Sequence, residues 1–341
     1  MALAKAESPQ NIKLGRLYTR GNTRRLLCNA GNFLQTTDGA VVIFSPVIRD
    51  DLRSVMANQK TEITATVELF CPAEKKSTLQ GLPVTKSGNT LKFGDHLVLE
   101  TEIDRLMLSP EWPKVLSFCK TRYKCSDPRN SRYGTAVSGS GITRLADHQF
   151  LITGGHASAV YDDDASVEIS RMAIVFDSEQ GVITKRFALG SPRSSHLSLL
   201  LPGGNVILIG GLDDNSRSIE VVDPVAGSSR TLSGELGADL IAPTACVNNK
   251  GDCFVIGGWD TDKLKTSRMI ERIDVGTGAV HRVADLTVPR DFVSTGDPMS
   301  SVGLNAVWLK DDSMLVSGGT TTKRGAFFSD LRQDAEIVRP N

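Results

Sequence analysis

Three arginines in this sequence each follow a proline: Arg129 after Pro128, Arg193 after Pro192 and Arg290 after Pro289. A guanidinium offers a rigid planar fork of donors, so several converging on one opening could grip a carboxylate ligand. The plainer reading pairs each arginine with a carboxylate on a neighbouring structural unit. Acidic residues gather separately at Asp50-Asp51, Asp162-Asp163-Asp164, Asp213-Asp214, and at Asp260 with Asp262. Short carboxylates end strands and keep loops solvated. Brought to one face, they would form an acidic rim for a basic partner. No Asp-x-Asp-x-Asp-Gly string is present, so a calcium loop is not indicated.

Other chemistry is hard to assemble. The histidines are His96, His148, His156, His196 and His281, and none adjoins a tyrosine. The six cysteines are scattered, with no C-x-x-C pair, which reads as buried reduced thiols. Phosphate loops, dinucleotide fingerprints and serine nucleophile elbows are missing. Ser138-Gly139-Ser140-Gly141 reads as a flexible turn. No cofactor or metal is therefore expected, and no catalytic residue is assigned.

The elements that must position these residues come from a repeat. A short apolar run ending in Gly-Gly occurs four times: FLITGG, VILIGG, CFVIGG and MLVSGG, with first glycines Gly154, Gly210, Gly257 and Gly318. Two weaker copies precede them, AVVIF at residues 40–44 and HLVLE at 96–100. With Ser45 and Glu100 in the place of the first glycine, six copies cover the chain at a spacing near 55 residues. A second element follows each run: VELFCP from Val67, RLMLSP from Arg105, AIVFDS from Ala173, IEVVDP from Ile219, ERIDVG from Glu271 and AEIVRP from Ala335. These segments are short and β-branched, and Gly, Pro, Asn and Asp bound them, so they read as strands. Pro202-Gly203-Gly204 reads as a hairpin turn. Only residues 53–56 and 110–116 hint at helix.

Four antiparallel strands recurring at this period form one propeller blade. At this point the chain resembles the kelch-repeat family, through Pro-Arg, a histidine in the first strand, an apolar second strand, Gly-Gly and a third strand. PRSSHLSLLLPGGNVILIGGLDDNSRSIEVVDP carries that order throughout. The resemblance implies an all-β, six-bladed, kelch-like β-propeller. It also implies that the Pro-Arg arginines and the acidic loops share one face.

The chain of 341 residues has 39 Lys+Arg and 39 Asp+Glu, a formal net charge of zero. That balance argues against a dedicated nucleic-acid binder. The sixth repeat stops three strands in, and an open sheet edge invites association. Residues 11–19 are therefore expected to supply the closing strand, with residues 1–10 a flexible tail and residues 1–341 a single domain. With no signal peptide or membrane span in view, a cytoplasmic protein is expected. The expected function is non-catalytic recognition of a protein partner, or a scaffold role in an assembly, through loops on one face. The candidate binding residues are Arg129, Arg193, Arg290, Asp213, Asp214, Asp260 and Asp262. The alternative is an enzyme acting on a small sugar or sugar acid in the central channel.

Overall fold

The computed structural model describes residues 12–16, 33–44, 48–122, 138–157, 168–211, 216–291, 304–321, 330–331 and 334–340. They build a mainly β protein of several antiparallel sheets with three helices. No described helix is long and apolar enough to cross a membrane.

Four sheets follow the repeat. The second sheet contains Ser138–Ala146, Gln149–Ala157, Met172–Asp177 and Val182–Ala188, with Glu168–Ile169 added beside the second strand. The third contains Leu197–Leu200, Val206–Ile209, Ile219–Asp223 and Ser228–Thr231. The fourth contains Thr244–Val247, Cys253–Ile256, Met269–Ile273 and Val280–Asp285. The fifth contains Leu304–Trp308, Met314–Gly318 and Asp334–Val338, and its outer strand is the N-terminal Ile12–Arg16. Ile12 pairs with Ile337 and Lys13 with Glu336, so the chain's start covers the edge left at its end.

The runs ending in Gly-Gly are buried on both faces because each of their sheets is covered on both sides, by a neighbouring sheet or by helix. In the third sheet, Val206, Leu208 and Val222 pack on Leu151, Ala173 and Val175 of the second. Its opposite face, with Ile207, Ile209 and Val221, packs on Cys253 and Val255 of the fourth. The other face of the fourth sheet meets Leu304, Met314 and Val316 of the fifth. Leu315 and Ile337 of the fifth then meet Phe33, Val41 and Ile43 of the first. A strand without such covering on both sides would alternate polar and apolar residues instead.

The N-terminal region departs from the six-copy expectation. Five sheets of four or more strands are built by the described residues, and the copy at 96–100 does not found one. It yields the two-residue strand His96–Leu97, and helix α2 (Glu100–Arg105) follows. RLMLSP falls at the end of α2 rather than in a strand. The first sheet instead runs Phe33–Gln35, Val41–Phe44, Glu62–Cys71, Lys76–Ser87, Thr90–Phe93 and His96–Leu97. It curls back on itself: Thr36 bridges to Val98, and the Leu99 N–H donates to the Gln35 carbonyl at 3.0 Å. Leu34, Val42, Phe44, Val67, Val84, Leu91 and Phe93 fill its concave side. Leu52 and Val55 of helix α1 (Arg49–Met56) and Ile103 of α2 join them. Helix α3 (Trp112–Arg122) sets Trp112, Val115 and Cys119 against Phe150 and Ile174 of the second sheet. The helical segment thus stands between the first and second sheets. Arg144 pairs with Asp104, and Ser178 donates to Glu111 at 2.6 Å.

Candidate functional site

Strand register gives the sheets a shared address. Two residues before the first glycine of each doublet, the second strand faces a fixed position in the third. There Leu208 pairs with Glu220, Val255 with Glu271 and Val316 with Glu336. Ile43 faces Glu68 in the first sheet, and Ile152 faces Ile174 in the second. All four glutamates are buried. Sequence reasoning missed them, although a signal was present in the strings VELF, IEVV, AEIV and IERI. An isolated Glu in an apolar strand declares itself only when the copies are aligned.

Two of these glutamates hold predicted arginines. Arg193 has none of its surface exposed, and its Nε donates to Glu220 Oε2 at 3.2 Å. Its Nη1 donates to the carbonyls of Gly210 and Ser218 at 2.9 and 3.1 Å, and its Nη2 to Ser218 Oγ at 2.8 Å. Arg290, equally buried, repeats the arrangement. Its Nε donates to Glu336 Oε1 at 3.4 Å, and its Nη1 to the carbonyls of Gly318 and Asp334 at 2.9 and 3.1 Å. Its Nη2 lies 3.2 Å from Asp334 Oδ1.

The arginine backbones complete the junction. The Gly155 N–H donates to the Arg193 carbonyl at 2.7 Å and the Gly258 N–H to that of Arg290 at 2.9 Å. In return the Arg193 N–H reaches Ser170 O at 3.1 Å, and the Arg290 N–H reaches Ser267 O at 3.0 Å. A Cβ on Gly154 or Gly257 would fall on those same arginine carbonyls, and both glycines have positive φ, 58° and 65°. The Gly-Gly doublet of one sheet and the Pro-Arg pair of the next are therefore two halves of one joint.

This corrects the reading of Arg193 and Arg290 as ligand grips at an open mouth. Both guanidinium groups are fully buried and already paired with a glutamate and backbone carbonyls, so an incoming carboxylate would have to displace a buried glutamate. Breaking such a pair costs about 3–5 kcal/mol. Arg129, Asp213, Asp214 and Asp162 to Asp164 lie outside the described residues. The sheet that Arg129 leads into presents Ile174, not glutamate, at the shared address.

The acidic residues also depart from a common rim. Asp50 and Asp51 sit in the first turn of α1, where a carboxylate favours the helix dipole, not in a strand-to-strand loop. Asp260 is buried and accepts from the Lys263 N–H at 3.0 Å and Lys263 Nζ at 2.8 Å. Burial alone would push its carboxyl up, but Lys263 outweighs that and holds it below the usual range. Asp262 is exposed, and it pairs with Arg217 from the third sheet's side of the joint.

Ser138-Gly139-Ser140-Gly141 is strand rather than flexible turn. Its glycines admit the backbone of the next sheet's entry, where Ser195 N–H donates to Gly139 O at 2.6 Å with Ser195 at φ 54°. His196 Nε2 lies 2.8 Å from Thr153 Oγ1. Burial, helped by the Arg193 charge, pulls its pKa down to about 4, so the ring is neutral near pH 7. Asp291, fully buried, accepts from the hydroxyls of Thr266, at 2.6 Å, and Thr320. It thereby ties the Lys265–Thr266 strand to Thr320, just past the fifth sheet's Met314–Gly318.

What these joints leave open is a small platform. Leu240–Ile241, Trp259–Asp260 and Lys265–Thr266 form a three-stranded sheet at the doublet end of the fourth sheet. Ile241 is 41% exposed, Leu264 51%, and Trp259 half-buried. Among the described residues, no three His, Cys, Asp or Glu side chains could hold a metal ion, and Cys71, Cys119, Cys246 and Cys253 are free thiols. Burial pushes the Cys246 thiol up to about 12, which leaves it protonated and unreactive. No protein-family model and no curated protein matches the chain.

Proposed function

We propose that this chain is a kelch-like propeller that serves as a recognition module for another protein. In this reading its ring has six places, five taken by sheets and one by the α2–α3 segment. Supporting the ring is the unbroken succession of shared cores from the second sheet through the fifth to the first. The buried arginines serve rigidity, so the binding duty passes to what they hold in place.

The observation that carries the proposal is the platform. Ile241, Leu264 and Trp259 expose apolar surface beside the charged Lys263, Lys265 and Asp262, a centre-and-rim pattern typical of protein interfaces. Anchored to the Arg290 joint through Gly258 and Ser267, such a patch binds at a reduced ordering cost.

The test is capture of partners by the tagged chain from native extracts, compared with the Ile241→Asp, Leu264→Asp double variant. Loss of specific partners, with an unchanged circular dichroism spectrum, is expected. A folded double variant that captures the same proteins equally well would refute the platform's role.

A further inference from the structure

The third-to-fourth joint differs from the two beside it. The entries into the third, fourth and fifth sheets read LGSPR (189–193), LGADL (236–240) and LTVPR (286–290). Their first leucines behave alike: the N–H groups of Leu189, Leu236 and Leu286 donate to Arg171, Arg217 and Arg268 carbonyls at 2.7, 2.9 and 2.7 Å. The second residue of each also points its N–H at the shared glutamate. Gly190 reaches Glu220 Oε1 at 2.5 Å, Gly237 reaches Glu271 Oε1 and Oε2 at 3.0 and 3.2 Å, and Thr287 reaches Glu336 Oε2 at 2.7 Å. At the last position the pattern breaks, because Leu240 stands where Arg193 and Arg290 stand.

The bonds that Arg193 and Arg290 make at their joints go with that arginine. Among the described residues, Glu271 has no ion pair, although only 5% of its surface is exposed. The doublet Gly210-Gly211 makes no backbone bond to Leu240 of the kind Gly155 and Gly258 make to arginine carbonyls, and the Leu240 N–H has no counterpart to the bonds onto Ser170 and Ser267. Leu240 instead pairs with Asp260 within its own sheet. Among the described residues, the joint keeps apolar packing, the Leu236 bond, the exposed Arg217–Asp262 pair, the Arg230 Nη2 bond to the Val275 carbonyl at 3.1 Å, and a buried carboxylate held by one backbone N–H.

We propose that the joint between the third and fourth sheets is an acid-tightened hinge, with Glu271 as its titrating group. The ionised carboxylate is costly in this place and is relieved by taking a proton. Burial raises the Glu271 pKa, and the Gly237 N–H, Arg282, Arg217 and Lys263 offset it in part. Arg282 faces it from the adjacent strand, Arg217 from the entry to the third sheet's third strand, and Lys263 from the platform turn. The entry loop itself carries Glu235 and Asp239. A carboxyl raised in the folded state binds its proton more tightly than in the opened one. The joint therefore closes as pH falls and loosens as pH rises.

Hydrogen exchange on the whole chain tests this. The readout is protection of amides 236–241 relative to amides 286–291, corrected for intrinsic rates. The second segment belongs to the arginine-locked joint and contains no histidine. Between about pH 7.5 and about pH 5 the relative protection should rise as pH falls, the direction set by the raised carboxyl. Glu271→Gln should hold it high at both pH values, and Leu240→Arg should raise it at neutral pH. A wild-type ratio that does not move with pH, or one that moves equally in Glu271→Gln, overturns the proposal.

Discussion

The first sheet and the four that follow the doublets begin from similar apolar runs, yet they pack in different ways. AVVIF forms its strand, residues 41–44, as FLITGG, VILIGG, CFVIGG and MLVSGG form theirs. The difference lies just beyond the run. Where Gly154 and Gly257 take positive φ, the next sheet's arginine backbone settles against them. Where Ser45-Pro46 follows, the sheet uses its long fourth strand, Lys76–Ser87, to pair onward and curl around its own core. An apolar run specifies a strand, whereas the glycine doublet specifies what that strand's sheet can dock against.

Glycine substitution should break this contrast most severely. Gly257→Ala places a methyl group on the Arg290 carbonyl at φ 65° and should cost more than about 4 kcal/mol, or abolish folding. Urea melts read it directly, and a near-wild-type midpoint would refute the docking role. Arg290→Ala comes next, at about 3–5 kcal/mol, because it strands Glu336 in the interior. Arg290→Met with Glu336→Leu should recover most of that loss, since it removes both charges together.

The joints can also be separated by acid. His196 is held neutral, with its pKa lowered from 6.5 to about 4, so the unfolded chain binds the proton first. Stability should fall as pH drops from about 6.5 to about 4, by up to about 3 kcal/mol, and His196→Asn should flatten that slope. The sign is opposite to that at Glu271. Installing the missing arginine by Leu240→Arg should add about 1 kcal/mol at neutral pH, and the gain should vanish in Glu271→Gln. The smallest effect belongs to Gly81→Ala in the curled sheet. The added methyl meets only Thr64 Cγ2 at 3.9 Å, so the change should stay within about 1 kcal/mol.

Much of the β architecture was legible in the residues. Pro202-Gly203-Gly204 turns between Leu197–Leu200 and Val206–Ile209 as its spacing requires. The need for a closing strand pointed to the N-terminus, and Ile12–Arg16 lies beside Asp334–Val338. Helix α2 was less visible: its six residues, ETEIDR, are too short for a helical period to separate them from the preceding HLVLE. The candidate site was half legible. Pro-Arg marked positions that matter, but sequence could not distinguish an arginine aimed at solvent from one aimed at a glutamate 27 residues on, as Arg193 is.

By itself, the sequence determined the strands of the glycine-doublet copies and turns such as Pro202-Gly203-Gly204, because these rest on local torsions and on which faces must be buried. Tertiary structure decided which sheets dock, which carboxylate each arginine meets, and that Leu240 leaves Glu271 without one. Those outcomes depend on register between strands distant in the chain. A one-residue slip there would turn each glutamate to the opposite face.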